Sequence, residues 1–279
     1  MGYVDFILNL AGLLLWLNWR SNRFDPLVKR LPATLMGTLR PAAPQRLRRW
    51  QLLAFLAALL LVRAVVYWWI GSQTNWSGKI NLGVVVLWFS DNPHWTGFYH
   101  MLLFSFFSFG LVLGIFYVGL LPLSLLDGPL PVHGLVKIPL GRVDGWPRWA
   151  KIILPFIATA GLWWLASWLL GRLQILPPAS PACRFQQSLV IGADSYLLWK
   201  FPLAAILLLH LVNSYVYFGR NPFWKYVNLT AQTFLQPLKK IPLQIGKVDC
   251  APVLALALIF FAAELAWRGL NLLYARLPL

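Results

Sequence analysis

The chain has 279 residues, of which 59% are hydrophobic and only 11% are charged. A soluble domain carries about 25% charged residues, so this composition excludes an ordinary soluble protein. Runs of apolar residues recur that are long enough to cross a hydrocarbon core about 30 Å thick. The net charge of +16 accompanies no recognised nucleic-acid-binding module, so nucleic acid is not expected as a partner. We predict an all-α polytopic integral membrane protein.

Six apolar segments are predicted to span the membrane. The first is short and contains Asp5, so a tilted or half-inserted helix is an alternative for it. No Lys or Arg precedes this segment, which favours a retained helix over a signal peptide. The third contains Pro122, which predicts a kink or an end at that position. The six segments are Tyr3–Trp19, Trp50–Ile70, Phe98–Leu126, Ala150–Gly171, Ser195–Phe218 and Pro252–Leu272.

The distribution of basic residues predicts the orientation of these helices. The connections at residues 20–49, 127–151 and 219–251 together contain 17 Lys and Arg residues, whereas the opposite side of the membrane contains five. Because basic connections stay in the cytoplasm, the chain is predicted to form three out–in–out hairpins with both termini outside. The same basic residues are expected to meet anionic lipid headgroups.

The first and last cytoplasmic connections are predicted to be amphipathic helices. Apolar residues recur there at three- and four-residue spacing, as at Phe223, Val227, Ala231 and Leu235 in the last connection. Such a helix lies in the headgroup plane, and a helix that packs against a partner or against the same chain is the alternative. In the outer connection at residues 71–97, the apolar run Leu82–Phe89 is too short to span and is predicted to be interfacial.

A short polar phrase occurs twice, as KIPLGRVDGWP at residues 137–147 and KIPLQIGKVDCAP at residues 240–252. Each copy precedes an apolar segment and is typical of a helix start: a basic anchor, a glycine turn, an Asp N-cap and a proline in the first turn. An Asp/Lys pair that gates an ion or binds a partner is the alternative. The motif residues are Lys137, Pro139, Gly141, Asp144, Pro147, Lys240, Pro242, Gly246, Asp249 and Pro252.

The second copy, PLKKIPLQIGKVDCAP at residues 237–252, resembles the signature of the YggT family of small bacterial and plastid membrane proteins. Ala251 and Trp146 stand where that signature has Ser. The resemblance covers residues 98–279 as two tandem units and leaves residues 1–97 outside it. It implies three parts for the chain: an N-terminal hairpin at 1–97, a first YggT-like hairpin at 98–186 and a second at 187–279. It also implies a bacterial inner membrane.

Charged and polar residues inside the predicted spans are hypotheses for functional positions. Arg63 and Glu264 are each about 20 Å from the inner ends of their spans at a rise of about 1.5 Å per residue, so an interhelical ion pair between them is predicted. Arg268, four residues after Glu264, is the competing partner. His210 is expected to hydrogen-bond to a neighbouring helix. No disulfide between Cys183 and Cys250, no metal site, no cofactor and no catalytic residue are expected.

The function expected from this sequence is that of a non-catalytic membrane protein. The YggT resemblance implies a structural or assembly factor, or an accessory subunit, of membrane complexes, with a link to osmotic tolerance. Its expected partners are the lipid bilayer and either another membrane protein or further copies of the chain. A channel or transporter for small ions or osmolytes is the alternative, and it would need several polar groups converging near the midplane.

Overall fold

The structure is a computed structural model that describes residues 2–21, 49–74, 78–89, 95–125, 139–173, 176, 180–216, 222–238, 244–245 and 248–277. It is mostly helical. The helices are α1 (Gly2–Ser21), α2 (Arg49–Thr74), α3 (Trp95–Ser124), α4 (Arg148–Arg172), α5 (Pro181–Asp194), α6 (Lys200–Tyr215), α7 (Pro222–Leu235) and α8 (Ala251–Ala275), with 3-10 turns at Gly141–Gly145 and Ser195–Trp199. The strands are β1 (Gly78–Asn81), β2 (Val86–Phe89), β3 (Gln244–Ile245) and β4 (Val248–Asp249).

Within these residues, five helical segments are long and apolar enough to cross a membrane, which makes the chain a multi-pass membrane protein. They are α2, α3, α4, α8 and the continuous stretch Pro181–Ser214, which joins α5 and α6. That stretch begins earlier than the predicted span Ser195–Phe218, because Ser180 caps it: the Ser180 hydroxyl accepts a hydrogen bond from the Cys183 amide at 3.2 Å. Helix α1 is not among the five, so the sixth span stays a prediction.

The chain divides into two compact units. The first comprises residues 1–78 and 90–113, and so contains α1, α2 and the first part of α3. The second comprises residues 79–89 and 114–279. In the second unit, buried residues from three helices form one core: Ile206 and Leu207 of α6, Val227, Ala231 and Leu235 of α7, and Ala251 and Ala255 of α8.

Helix α7 is the amphipathic helix predicted in the last connection. Its apolar face packs on α6 and α8 of the same chain. Packing against the same chain was the alternative to a helix that lies in the headgroup plane. The Tyr226 hydroxyl also donates a hydrogen bond to the Leu123 carbonyl at 3.3 Å. Burial raises the pKa of Tyr226 above its ordinary value of 10. The predicted amphipathic helix at residues 20–49 falls almost entirely outside the described residues.

The repeated phrase differs from the prediction at its aspartates. Asp144 lies in the 3-10 turn, and the N-cap of α4 is Pro147, which receives no side-chain capping bond. At the second copy, Asp249 ends β4 and the N-cap of α8 is Cys250. Assigning the two aspartates as N-caps was therefore wrong, because in each copy the helix starts later than the Asp.

Other parts of the phrase have the expected backbone geometry. Gly141 has a φ of +59°, a conformation that glycine adopts at little cost, and Pro252 lies in the first turn of α8. Pro139 is buried just before the 3-10 turn. Lys137, Lys240, Pro242 and Gly246 lie outside the described residues.

Two small sheets were not anticipated. The apolar run at 82–89 contributes β2 to a two-stranded sheet with β1, and burial alternates along both strands as the period-two geometry of a strand requires. Gly83 turns the chain between them with a φ of +84°. Strands β3 and β4 pair antiparallel, Gln244 with Asp249 and Ile245 with Val248, so part of the second copy of the phrase forms a small sheet.

Candidate functional site

The first unit places polar side chains from three helices in one cluster, which we call the Arg63 cluster. It consists of Asp5 and Asn9 on α1, Arg63 and Tyr67 on α2, and Ser108 on α3. The spacing follows helix geometry, because residues four apart lie on the same face: Asp5 and Asn9 form one such pair, and Arg63 and Tyr67 form the other.

Arg63 is the centre of this cluster and is only 2% exposed. Its Nη1 donates to Asn9 Oδ1 at 2.7 Å. Its Nη2 donates to Asp5 Oδ1 at 2.5 Å and to Ser108 Oγ at 2.9 Å. A guanidinium presents several N–H donors in a planar fork and keeps its charge, so one side chain bonds α1, α2 and α3 together.

The negative carboxylate of Asp5 balances the positive charge of Arg63, and it accepts hydrogen bonds from two donors. The Tyr67 hydroxyl donates to the same Asp5 oxygen at 2.5 Å, and the Asp5 side chain keeps 23% exposure. The guanidinium of Arg63 also lies over two aromatic rings, with its carbon 5.3 Å from the Tyr67 ring centre and 5.7 Å from that of Phe104. Ring faces attract cations, so the aromatic contacts further stabilise the buried guanidinium.

Small residues let the helices approach closely around the cluster. A Cβ atom on Gly12 would lie 2.7 Å from the Phe109 ring, too close for an ordinary contact. The Ser105 hydroxyl donates to the Leu60 carbonyl at 2.8 Å, which adds a bond from α3 to α2. Asp5 lies by Arg63 while Gly12 lies near Leu56, so α1 and α2 run in opposite directions.

The predicted ion pair between Arg63 and Glu264 is wrong. Arg63 pairs with Asp5, and Glu264 pairs with the competing partner, Arg268, at 2.8 Å between Oε1 and Nε. Depth along a span gave Arg63 and Glu264 similar heights, but depth does not specify which helices are neighbours. The spacing of Asp5 and Asn9 could have indicated this partner. The two residues are four apart, so they give the first helix a polar face that a buried arginine can bind.

His210 bonds to the neighbouring helix, as expected. Its Nδ1 lies 2.9 Å from Asn228 Oδ1 on α7, and Asn213 Nδ2 donates to the same oxygen at 3.2 Å. Since a carbonyl oxygen only accepts, Nδ1 carries the proton in this arrangement. Asn228 was not singled out from the sequence, because its position one helix away is a tertiary contact.

A second buried cation was also missed. Lys151, near the start of α4, is buried, and its Nζ donates to the Ser124 carbonyl at the end of α3 at 3.2 Å. The same Nζ lies 3.7 Å from Asp144 Oδ1. Asp144 therefore forms an ion pair with α4 in place of the predicted cap. A lysine seven residues after an Asp at a helix start is too common a pattern to have indicated this pair.

The side chains of the Arg63 cluster hold α1, α2 and α3 together. One carboxylate and one guanidinium balance each other's charge, and the remaining members are neutral hydrogen-bonding groups. In the part of the chain that the structure describes, no three His, Cys, Asp or Glu side chains converge as metal ligands. Neither Cys183 nor Cys250 forms a disulfide.

No family model matches this chain, and neither a curated protein nor a solved structure matches it.

Proposed function

We propose that the chain is a non-catalytic integral membrane protein of YggT type that acts as a structural or assembly factor, or an accessory subunit, of membrane complexes. In this proposal it resides in the bacterial inner membrane with six spans in three out–in–out hairpins. Both termini lie outside, and the basic connections face anionic headgroups. The resemblance of the two phrase copies to the YggT signature supports the family, and the link to osmotic tolerance follows from it.

The observation that carries this proposal is that polar side chains of the helices form bonds to neighbouring helices. Arg63 binds Asp5, Asn9 and Ser108, Lys151 binds the Ser124 carbonyl, and His210 binds Asn228. Each of these contacts joins one helix to another. Buried polar groups that bond to each other across helices help to specify how those helices pack, which suits a scaffold.

A second feature agrees with a scaffold that works through its surface. Only 11–28% of each candidate span is buried inside the chain. The remaining surface of those helices is largely apolar and is available to lipid or to other membrane proteins. Helices associate in membranes through close packing and interhelical hydrogen bonds, so such surfaces are suited to docking against partner helices.

The experiment that tests the proposal is purification of the tagged full-length chain in mild detergent, followed by mass spectrometry of the proteins that accompany it. A stoichiometric complex with another membrane protein is the expected result. An unrelated multi-pass membrane protein with the same tag and expression level serves as the control. A preparation that contains the chain alone and conducts ions in liposomes would overturn the proposal in favour of a small-ion or osmolyte channel or transporter.

A further inference from the structure

One face of α8 combines a charged pair with apolar side chains and points away from the core of its own unit. Ala255 of α8 is buried in that core. Glu264 follows Ala255 by nine residues, about two and a half turns at about 3.6 residues per turn, so it lies on the opposite side. We give the name Glu264 face to five of the exposed residues on that side: Ala257, Phe261, Glu264, Arg268 and Leu272.

The position of Glu264 along α8 makes its exposure costly. It lies about 20 Å from Ala251 and about 17 Å from Ala275 at a rise of about 1.5 Å per residue, which is the middle of a candidate span. The Glu264 side chain is 49% exposed and the Arg268 side chain is 69% exposed. Charges at the bilayer centre face protein or a water-filled cavity rather than lipid, and Glu264 is too deep and too short to reach the headgroups.

The pair also has bonding capacity that α8 itself does not use. Arg268 Nε donates to Glu264 Oε1 at 2.8 Å, which occupies one of the five donors that a guanidinium carries. A carboxylate likewise has room for further donors on its two oxygens. An arginine and a glutamate side by side therefore complement a second pair of the same kind.

The geometry points to a second copy of this chain as the group that covers the Glu264 face. Two copies inserted in the same orientation are related by a two-fold axis along the membrane normal, so their α8 helices run parallel with Glu264 at equal depth. Side chains on a helix point toward its N-terminus, so the Arg268 guanidinium lies at the level of Glu264. It can then bind the partner subunit's Glu264 as well as its own, which gives a closed network of two acids and two arginines.

Helix α8 is also the least buried of the five candidate spans, with 11% buried against 17–28% for the others. Phe261 and Leu272 flank the charged pair on the Glu264 face, and apolar side chains around a central polar pair exclude water from an interface. This inference does not rest on the proposed function, since a dimer of this kind is compatible with a scaffold or with a channel.

Charge complementation between two differently tagged copies tests the inference. Glu264→Arg gives α8 two neighbouring positive charges, and Arg268→Glu gives it two negative charges. We expect wild-type copies to co-purify, each variant to lose self-association by more than about tenfold because like charges face each other, and the two variants expressed together to recover it. A pair that acted only within its own helix could not be restored by mixing, because each variant remains like-charged on its own helix.

Cysteine cross-linking in native membranes covers the case in which a charge variant fails to accumulate. Ala257→Cys places a thiol on the Glu264 face, and Leu258→Cys places one about 100° around the helix at nearly the same depth; both positions are exposed. The expected result is an oxidised dimer for Ala257→Cys well above the levels of Leu258→Cys and of the unsubstituted chain, which contains Cys183 and Cys250.

Three outcomes would overturn the inference. The first is failure of wild-type copies to co-purify. The second is equal cross-linking of the two cysteine variants. The third is a cross-link from Ala257→Cys to a different membrane protein, which would assign the Glu264 face to that protein. The partner purification described above can succeed or fail independently of these three results, so failure of the dimer is distinguishable from failure of the scaffold proposal.

Discussion

Among the described residues, two pairs of an acidic residue with an arginine use the same chemistry in opposite settings. In the first unit, Arg63 is buried and bonds to Asp5 on another helix. In the second, Arg268 is exposed and bonds to Glu264 one turn earlier on its own helix. The first pair, with its neutral hydrogen-bonding neighbours, joins three helices, whereas the second, within a single chain, forms its bond along one helix.

This difference indicates how much each pair contributes to folding. Breaking a buried pair between helices leaves an uncompensated charge in a low-dielectric site, while a pair within one helix contributes little to the packing of the chain. Removing charges from the two sites is therefore expected to have effects of very different size on the same chain.

The largest expected effect is that of Arg63→Leu, which leaves Asp5 without its cation and removes the donors to Asn9 and Ser108. We expect a loss of about 3–5 kcal/mol in the free energy of unfolding, measured by denaturation in detergent and by accumulation in membranes. The double variant Asp5→Leu/Arg63→Leu removes both charges and should lose less than the single variant. A double variant less stable than the single one would contradict a buried charge pair.

Asp5→Asn is expected to have the next largest effect. The amide keeps the shape and one acceptor but removes the charge opposite Arg63. A loss of about 1.5–3 kcal/mol follows from the worth of hydrogen bonds to charged groups, and thermal unfolding in detergent measures it. The matched variant Ser108→Ala removes a neutral acceptor of the same guanidinium and should cost less. Equal losses for the two variants would mean that the charge of Asp5 is not what matters.

The substitutions Gly12→Ala and Gly269→Ala compare a closely packed helix contact near the Arg63 cluster with the open surface of α8. A Cβ on Gly12 would press on Phe109, whereas nothing lies within 4 Å of one on Gly269. Overpacking should cost about 1–3 kcal/mol at Gly12, while Gly269→Ala should be neutral or stabilise by about 0.5–1 kcal/mol because alanine favours helix. Chemical denaturation of the two variants measures both effects. The same sign for both would show that helix propensity outweighs packing.

The smallest expected effect is that of Glu264→Gln on the stability of a single chain. The pair bonds two residues four apart on one helix and contributes under about 1 kcal/mol, so unfolding in a detergent that keeps the chain monomeric should barely change. A loss as large as that of Asp5→Asn would mean that Glu264 is buried within its own unit.

The prediction from sequence succeeded where the signal was carried by neighbours along the chain. Apolar runs located α2, α3, α4 and α8 within a few residues, and the bond from His210 to an adjacent helix agreed with expectation. The two small sheets were missed because four-residue and two-residue strands are too short for a periodic signal. The N-caps were misplaced because helix ends depend on local backbone geometry.

The amino-acid sequence by itself determined that this is a multi-pass helical membrane protein, because about 20 consecutive apolar residues have only the bilayer as a favourable solvent. It also determined which polar residues are unusual in that setting, since each charge in an apolar run stands out. Only the tertiary structure decided their partners. Pairing depends on which helix faces meet and at what height, and Asp5 and Arg63, 58 residues apart in the chain, share a bond that no local pattern specifies.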